Sequence, residues 1–400
     1  MEKVAIVGCG LRMLAFTSAL SQTYCATHTV VALLDIDPGK MAGFARASGL
    51  LQAGQYTDFD RLCEECRPDL LIIGTVDAFH AEYVVRALDR KIAVICEKPL
   101  CINRQQCRDI LAAQERNPEV FAVTSHNSRY RPVARTLKKL LQTGVVGRIL
   151  SLEYRETLDQ IHGKSYFRRW NSRRKYSNGL ELHKSSHHFD KMNYLLDSHA
   201  VEVTASGALL AYGAQAAHRF SGINCHTCVH RSECPDVGEY NKDLFDSTIY
   251  TPDLCIWSPE IDIEDTFAAS IRFANGVFAS YSLCAYASYE GEVIHLQGEN
   301  GRIEARQLNY KSSAEDVHNM KAVPEESIRI YRFGSPTPEE IPIEHEAGSH
   351  GGADKLLFSE LFASPPSPAL PTLQDGIYAV LTGAAVVESI QQRKQIQVGL

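Results

Sequence analysis

Short apolar runs alternate with helical patterns through the first 124 residues, and this alternation constrains the fold more than any other feature of the chain. The apolar runs include residues 4–7, 30–34, 70–74 and 92–96. A helical pattern over residues 80–89 separates the last two runs. Since parallel neighbouring strands need a crossover connection, usually a helix, the alternation predicts a doubly wound parallel sheet. Such sheets bind their ligands beyond the carboxyl ends of the strands.

A glycine-containing turn follows the first apolar run. In Gly8-Cys9-Gly10, the first glycine permits a tight turn and the second lets the backbone approach a pyrophosphate at a helix N-terminus. The third glycine of the usual dinucleotide-binding pattern is absent, because Met13 stands in its place. The turn indicates a dinucleotide site, and the alternative is an α/β domain whose glycine turn binds nothing.

The second apolar run ends at Asp35, 25 residues after Gly10. An acidic residue at about this distance contacts the ribose hydroxyls of NAD. The same carboxylate would repel the 2′-phosphate of NADP. We therefore predict NAD as the cofactor, with NADP the less favoured alternative.

The fourth apolar run leads directly into Glu97-Lys98-Pro99. A lysine at such a strand end is poorly hydrated, so it can be tuned as an acid or a base. Residues 74–80 follow the neighbouring run and are expected to line the nicotinamide side of the same cleft. The predicted cofactor-binding residues are Gly8, Gly10, Leu11, Arg12, Asp35, Thr75, His80, Glu97 and Lys98.

Composition excludes several classes of protein. Apolar residues make up 44% of the chain and charged residues 22%, as in ordinary globular proteins. The net charge is −7 and there is no long basic run, so nucleic acid is not expected as a partner. No apolar stretch approaches the roughly 20 residues of a membrane helix, and the first strand begins at once, so we predict a cytoplasmic protein. In that compartment the 12 cysteines indicate thiols or metal ligands before disulfides.

From about Ser125 the pattern changes to longer, alternating strands. Residues 266–273 and 277–282 flank Ala274-Asn275-Gly276, and Asn-Gly between two such runs predicts a hairpin. Residues 1–124 are therefore predicted to form an NAD-binding Rossmann domain. Residues 125–400 are predicted to form an α+β domain with a large, mostly antiparallel open sheet, ending in a helix over 376–391. One face of that sheet would be available for self-association.

With these motifs taken together, the chain resembles the Gfo/Idh/MocA oxidoreductase family over nearly its whole length. The motifs are Gly8-Cys9-Gly10, Glu97-Lys98-Pro99, residues 126–132, residues 144–148, the helix opening at Gly179, residues 298–302 and the C-terminal helix. The resemblance implies a Rossmann domain and an α/β domain whose open sheet supports a homodimer or homotetramer. It also implies a nicotinamide cofactor and substrates that are usually sugars, polyols or their keto forms.

The family's second catalytic motif is an Asp, a His four residues later and an Asp three after that. Here His187 and Asp190 match, whereas His183 replaces the first Asp. On one continuous helix these three side chains would share a face, with His187 reaching a substrate hydroxyl and Asp190 orienting it. Because a histidine stands at position 183 in place of the anionic Asp of the motif, the basicity of His187 should be lower. The alternatives are histidines that only pack, or a His183–His187 metal pair. The predicted catalytic residues are Lys98, His187 and His183.

Substrate contacts are expected from three further segments. Asn127 and Arg129 occupy positions at which the resemblance places substrate. Arg169 and Trp170 belong to a segment of interleaved aromatic and basic residues that suits a polar sugar lid, nucleic acid or a solvated loop. The predicted substrate-binding residues are Asn127, Arg129, Arg169, Trp170, Lys184 and His188.

A cysteine-rich segment, about residues 221–256, resembles an insert present in a subgroup of the family. Cys225, Cys228, Cys234 and Cys255 have a spacing that could form a closed structural zinc site and so hold together a loop without its own core. His226 or His230 could replace one thiolate. Reduced surface thiols and an iron–sulfur cluster are the alternatives.

The sequence thus predicts an NAD-dependent oxidoreductase that transfers hydride between the nicotinamide and a sugar, sugar derivative or cyclitol. Lys98 and His187 would face the reacting carbon. One alternative is a redox-neutral glycoside lyase or hydrolase that uses NAD transiently, with residues 183–188 supplying the extra acid and base. The other is a non-catalytic NAD-binding sensor or scaffold.

Overall fold

The computed structural model describes residues 1–216, 222–238, 253–310, 323–346 and 349–400. The described residues form two sheets, one of six strands and one of nine. The part of the cysteine-rich segment that spans 239–252, together with residue 221, lies outside the described residues. No described helix is long and apolar enough to cross a membrane.

The N-terminal sheet is fully parallel, with strand order β3-β2-β1-β4-β5-β6. Its strands are β1 Glu2–Val7, β2 His28–Leu34, β3 Gly54–Tyr56, β4 Leu70–Ile73, β5 Ala93–Cys96 and β6 Ala122–Thr124. Its helices are α1 Leu11–Gln22, α2 Pro38–Ser48, α3 Phe59–Cys66, α4 His80–Asp89 and α5 Arg104–Arg116. This order confirms the predicted doubly wound sheet, with its topological switch point between β1 and β4.

The glycine turn after β1 is packed too closely for side chains. Gly8 has φ +92°, and a Cβ there would lie 2.7 Å from backbone atoms of Gly74. Met13 in turn occupies the space beside Gly74, because a Cβ on Gly74 would lie 2.5 Å from the Met13 Cε. The missing third glycine is thus compensated by a glycine at the end of β4.

The second sheet has strand order β14-β13-β12-β11-β7-β10-β9-β8-β15. Only its β7–β10 pair is parallel among the described pairs, so the predicted, mostly antiparallel sheet is confirmed. Its strands are β7 Ile149–Asp159, β8 Ala200–Ala208, β9 Thr266–Phe273, β10 Phe278–Ala287, β11 Glu290–Gly298, β12 Gly301–Tyr310, β13 Val323–Arg332, β14 Glu339–Glu340 and β15 Ile396–Gln397. The remaining helices are α6 Pro132–Gln142, α7 Gln160–Phe167, α8 Arg174–Ser177, α9 Leu180–His183, α10 Ser186–Leu196, α11 Ala353–Leu361 and α12 Leu373–Gln392. The hairpin at Gly276 forms as predicted, with φ +87° at that glycine.

Two C-terminal helices return to the N-terminal sheet. Leu357 and Phe358 of α11 pack with residues of β1 and α1, and Ile377 and Val380 of α12 pack with residues of β5 and α5. The predicted division at residue 124 therefore separates the strands of the two sheets along the chain, but helices from the C-terminal part also contribute to the core around the N-terminal sheet. Helix α12 begins three residues before the predicted start, because Thr372 forms a capping box with the N3 residue.

Candidate functional site

A cleft of about 590 Å³ lies at the carboxyl ends of β1, β4 and β5 and is closed on the other side by residues 156–188 and by β11. The predicted residues that line it are Gly10, Leu11, Arg12, Thr75, His80, Glu97, Lys98, Asn127, Arg169, Trp170, His183, Lys184, His187 and His188. Gly8, Asp35 and Arg129 are not among its lining residues. The structure therefore brings most residues from separate predicted motifs to one place.

At the cofactor end, Arg12 joins the two halves of the chain. Its Nε donates to Glu97 at 2.8 Å, and its two terminal nitrogens donate to the carboxylate of Asp354 at 2.9 and 2.8 Å. Asn127 also donates to Asp354, at 2.8 Å. Burial opposes ionisation of Glu97, but the charge of Arg12 holds its pKa below the usual value. Arg12 and Asn127 are thus engaged with carboxylates in this structure while lining the cleft.

Asp35, the predicted ribose contact, is buried beneath the glycine turn. Its carboxylate accepts hydrogen bonds from the backbone N–H of Cys9 at 2.8 Å and from Nζ of Lys40 at 2.9 Å. Lys40, unlike Asp35, lines the cleft. Because Lys40 balances the charge of Asp35, repulsion of a 2′-phosphate would be weaker than Asp35 alone suggests. Contact of Asp35 with a ribose remains a prediction.

Lys98 lines the cleft at the carboxyl end of β5. Its Nζ donates to the backbone oxygen of His183 at 3.2 Å, and no described carboxylate forms an ion pair with it. Burial lowers the pKa of Lys98. Next to it, His80 bridges the loops after β4 and β5, since its ring nitrogens lie 3.1 Å from the Thr75 oxygen and 2.7 Å from the Pro99 oxygen. Lys98 is therefore a desolvated amine on a well-anchored loop, suited to proton transfer.

His183 has a buried acidic partner that the sequence analysis did not identify. Its Nδ1 lies 2.5 Å from Oδ2 of Asp77, and its Nε2 lies 3.0 Å from Nδ2 of Asn171. Trp170 packs edge-on against the imidazole. Burial raises the pKa of Asp77 to about 7 and lowers that of His183 well below its usual value. The loop after β4 thus supplies a carboxyl group beside His183, where the motif of the family has an acidic residue at position 183.

Replacing Asp77 by asparagine should remove a pH dependence of stability. The folded protein holds the Asp77 proton up to about pH 7, whereas the ordinary pKa is 3.8. The carboxyl therefore contributes most to stability at low pH, and this contribution is lost as the pH rises from about 4 to 7. We expect the free energy of unfolding of the wild type, relative to Asp77→Asn, to fall across this window in urea titrations. Asp109→Asn, at an exposed site, should show no such trend; a constant difference for Asp77→Asn would contradict the shifted pKa.

The predicted single helix carrying His183, His187 and Asp190 is wrong. Helix α9 ends at His183 and α10 begins at Ser186, so a turn separates the first residue of the motif from the other two. His187 keeps its place in the cleft, with an Nδ1 that has no hydrogen-bond partner among the described residues. Burial lowers the pKa of His187 well below its usual value, so a neutral and weakly basic imidazole lines the cleft.

The predicted roles of Asp190 and Arg129 also need correction. Both carboxylate oxygens of Asp190 accept hydrogen bonds from Arg129, at 2.7 and 2.6 Å. Asp190 is 0% exposed and Arg129 8%. Asp190 is therefore occupied by Arg129 rather than by His187, and Arg129 forms a buried ion pair instead of lining the cleft. The spacing of Arg129 and Asp190 in the chain gave no indication that these two residues would be in contact.

The floor of the cleft contains a charged network that the sequence analysis missed. Glu156 of β7 lies directly opposite Glu292 of β11, and both are buried. Lys184 pairs with Glu156 at 3.2 Å and Lys191 with Glu292 at 2.6 Å. Burial raises the pKa of Glu156 to about 7. The alternation of side chains along β7 and β11 could have predicted that both glutamates lie on the same face of the sheet. It could not have predicted that this face is covered by other parts of the chain.

His188, Glu156 and Glu292 have ligand atoms within 4.8 Å of one another, a spacing compatible with a metal ion. However, two lysines already supply positive charge to the two carboxylates, and His188 Nδ1 lies 2.8 Å from the hydroxyl of Tyr281. Side chains of the protein therefore balance the charges of the two glutamates. His188 packs within the floor of the cleft and borders the cleft.

The four predicted zinc ligands surround one small enclosed cavity of about 10 Å³. Cys225 and Cys255 are buried, and the backbone bridge between Asn224 and Leu254 holds their segments together. No three of the described sulfur atoms lie within 4.8 Å of one another. The four predicted ligands thus lie near one another, but their sulfur atoms do not converge as they would in a formed tetrahedral zinc site.

The cysteine-rich segment contacts the lid of the cleft. Arg168 donates to Sγ of Cys225 at 3.5 Å and to the backbone oxygen of Asp236 at 2.6 Å, and its own carbonyl accepts from Leu254 at 2.9 Å. The next two residues in the chain, at 169 and 170, line the cleft. The segment is therefore positioned to support the lid.

The parallel sheet, its glycine turn and the lysine at the strand ends are typical of a Rossmann-type oxidoreductase with a second, mostly antiparallel sheet. Two family models match: "Oxidoreductase family, NAD-binding Rossmann fold" over residues 2–125 and "Oxidoreductase family, C-terminal alpha/beta domain" over residues 138–398. The chain therefore belongs to the Gfo/Idh/MocA oxidoreductase family, as its motifs suggested.

Similar proteins point in the same direction. YteT of Bacillus subtilis (strain 168), which is named as an oxidoreductase, is 31% identical over 98% of this chain and 97% of its own length. An inositol 2-dehydrogenase/D-chiro-inositol 3-dehydrogenase of Lactiplantibacillus plantarum is 29% identical, over 39% of this chain and 44% of its own. The structure of levoglucosan dehydrogenase with NADH and levoglucosan covers 100% of both chains with a TM-score of 0.69 and 18% identity, which shows a shared fold.

Proposed function

We propose that this protein is an NAD-dependent oxidoreductase that acts on a CH–OH group of a sugar, sugar derivative or cyclitol. The observation that carries the proposal is Lys98, a partly buried amine at the strand ends that lines the same cleft as His187 and has no carboxylate of the described residues within salt-bridge distance. Hydroxyl oxidation requires a group that removes the hydroxyl proton as hydride leaves carbon. The dehydrogenases among the similar proteins support the substrate class.

The residues fit the cofactor at the glycine turn. A Cβ at Gly10 would meet the Gly74 oxygen at 3.7 Å, and α1 begins at Leu11, so its first backbone N–H groups are available for a pyrophosphate. When bound, NAD supplies the hydride acceptor. Lys98 and His187 then hold the substrate hydroxyl, one donating to its oxygen and the other accepting its proton. Glu97 orients Arg12 and the Lys98 loop.

Incubation of purified protein with NAD or NADP and a panel of sugars, glycosides and cyclitols tests the proposal. The absorbance of the reduced cofactor and carbohydrate NMR are measured on the same samples. We expect reduced NAD to accumulate with a keto product, and NADP to be used less well. Absence of any carbohydrate change across the panel, with cofactor bound, would favour the sensor hypothesis.

One observation favours a second candidate function, a redox-neutral lyase or hydrolase. The short contact between Asp77 and His183 gives the cleft a second acid–base pair besides Lys98 and His187. Such a pair could remove a C–H proton made acidic by a neighbouring keto group. A changed carbohydrate without net reduced cofactor, accompanied by solvent deuterium at carbon, would support this function over the dehydrogenase.

We also propose that the cysteine set binds structural zinc, because four thiols that border one small cavity next to the lid match its preferred ligands. Purified protein should then contain about one zinc per chain by elemental analysis. Cys228→Ser should lose the metal and lower the melting temperature, while Cys25→Ser, at an exposed site, should do neither. Metal-free protein whose melting temperature ignores chelators would refute the assignment.

Self-association is proposed through the open face of the large sheet. Small polar residues line a shallow groove there: Thr204, Ser206, Ser270, Ser280 and Ser282. Small side chains allow two such faces to approach closely. Light scattering should give the mass of a dimer or tetramer, and a monomer would contradict the proposal.

A further inference from the structure

Helix α7 brings two polar side chains to the wall of the cleft. His162 and Tyr166 stand four residues apart, so they share one face of the helix, and both line the cleft. Gly163 packs against the large sheet instead, because a Cβ there would collide with the backbone oxygen of Ala285. Asp159 caps the helix by accepting hydrogen bonds from two of its first backbone N–H groups, both at 2.9 Å. The face that carries His162 and Tyr166 is thus held in place from two sides.

A chain of hydrogen bonds joins these two side chains to Glu290, at the start of β11. The Nδ1 atom of His162 lies 2.8 Å from Oε1 of Glu290, and its Nε2 atom lies 3.0 Å from the hydroxyl of Tyr166. All three residues line the cleft. Among the described residues, His162 is the one hydrogen-bond partner of the Tyr166 hydroxyl. The chain Glu290–His162–Tyr166 therefore ends at a phenol oxygen in the cleft wall.

The direction of these hydrogen bonds follows from the chemistry of the groups. An ionised glutamate can only accept, and although burial disfavours its charge, the hydrogen bond from His162 holds the pKa of Glu290 below its usual value. Histidine is mostly neutral at pH 7 and above, and burial lowers the pKa of His162 further. Its single ring proton therefore lies on Nδ1, beside Glu290, and Nε2 is an acceptor.

The hydroxyl of Tyr166 must then donate to His162. Burial raises the pKa of Tyr166, so the phenol keeps its proton for this hydrogen bond. Its oxygen has only lone pairs left for a ligand. Tyr166 is 7% exposed, so a bound ligand that covers it must replace the water that these lone pairs would otherwise meet.

We propose that Tyr166 accepts a hydrogen bond from a free hydroxyl of the substrate, distinct from the hydroxyl that is oxidised, and so determines specificity. This inference rests on the proposed function, in which Lys98 and His187 hold the reacting hydroxyl. Glu290 and His162 are positioning residues that orient the phenol. A sugar or cyclitol hydroxyl can donate to Tyr166, whereas a methyl ether brings a second acceptor and a deoxy carbon brings nothing. The preferred substrate is therefore a polyhydroxylated compound that is unsubstituted at the position facing Tyr166.

The test uses NAD-loaded protein with glucose, galactose and myo-inositol, each compared with its monodeoxy and mono-O-methyl derivatives. Calorimetry gives dissociation constants, and NADH absorbance gives kcat and KM. We expect one position, other than the oxidised one, at which removal or methylation of the hydroxyl lowers kcat/KM by about 10- to 100-fold. Equal use of all these derivatives would overturn the proposal while leaving hydride transfer, and so the proposed function, intact.

Tyr166→Phe removes the phenol oxygen and keeps the ring. It should lower kcat/KM for the preferred compound by about 10- to 100-fold, mainly through KM, and change that of the matching deoxy compound by less than about twofold. Tyr130→Phe is the matched control, since Tyr130 is also buried and donates to Glu360 at 2.7 Å outside the cleft lining. It should leave the ratio between the two compounds unchanged. Equal losses for both compounds in Tyr166→Phe would indicate a structural role and overturn the proposal.

Glu290→Gln tests the orientation of the chain. Its amide can donate as well as accept, so it no longer fixes the ring proton of His162 on Nδ1. The preference for the hydroxyl compound over its methyl ether should therefore shrink, which a merely structural loss would not cause.

Nitrogen-15 NMR of histidine-labelled wild type reads the same orientation without a substrate. With the signal assigned by His162→Gln, we expect the proton on Nδ1 at neutral pH. A proton on Nε2 would overturn the proposal, whether or not any compound of the panel binds. Failure of every compound to bind would refute the proposed substrate class, and with it the role of Tyr166.

Discussion

Lys98→Met is expected to lower kcat by about 10²- to 10⁴-fold while leaving NAD bound, because it removes the amine that handles the hydroxyl proton. Methionine is nearly as long as lysine and suits the partly buried position, so the change removes charge and donor hydrogens with little loss of volume. Among the described residues, the Lys98 ammonium makes one hydrogen bond, to the backbone oxygen of His183, so few protein contacts are lost. Single-turnover kinetics with the substrate identified from the panel, together with NAD titration, would measure both effects.

A matched lysine outside the cleft distinguishes catalysis from folding. Lys138 is also buried and donates to the oxygen of Tyr194 at 2.7 Å and to Asp197 at 2.5 Å. Lys138→Met should lower the melting temperature without lowering kcat in the folded protein. If Lys98→Met retained full turnover, Lys98 could not be the proton-transferring group, and the assignment of the cleft chemistry would fail.

Arg129→Leu is expected to destabilise the protein by about 3–5 kcal/mol, because it leaves the Asp190 carboxylate buried without its partner. Asp190 is 0% exposed and receives both of its short hydrogen bonds from Arg129. The side chain of Asp375, 3.1 Å from Arg129, would lose a contact as well. Urea unfolding monitored by circular dichroism would measure the loss as a shift in the midpoint at constant slope.

Removal of both partners should be tolerated better than removal of one. The double variant Arg129→Leu/Asp190→Leu replaces the ion pair by apolar groups and should recover much of the stability. Arg61→Ala, which breaks an exposed i,i+4 pair with Glu65, should leave the midpoint unchanged within error. A stable Arg129→Leu protein with a strongly raised KM would instead return Arg129 to the substrate-binding role that the motif first suggested.

The elements of the fold were predictable where a local pattern determines burial. The apolar runs became β1, β2, β4 and β5 within a few residues of the predicted bounds, since a parallel strand covered on both faces must be apolar throughout. The hairpin at Asn275-Gly276 was predictable because a turn with positive φ selects glycine. These features depend on residues close together in the chain.

Local patterns failed where two distant residues decide the outcome. A helical wheel over residues 183–190 assumed one continuous helix, but the chain turns after His183, which meets Asp77 across 106 residues. The carboxylate of Asp190 was assigned to its sequence neighbour, whereas Arg129, 61 residues away, takes both of its oxygens. A sequence shows which side chains are charged, but it does not show which charged residues pair with one another.

Local sequence patterns predicted the two-sheet architecture, the glycine turn and the family, and they identified Lys98, His183 and His187 as cleft residues. Periodicity and turn chemistry carry that information, because they reflect how each short segment must be buried or turned. The pairing of charged side chains, by contrast, became known from the three-dimensional fold. That outcome depends on distances and burial across the whole chain, which set the strength of every electrostatic interaction in the cleft.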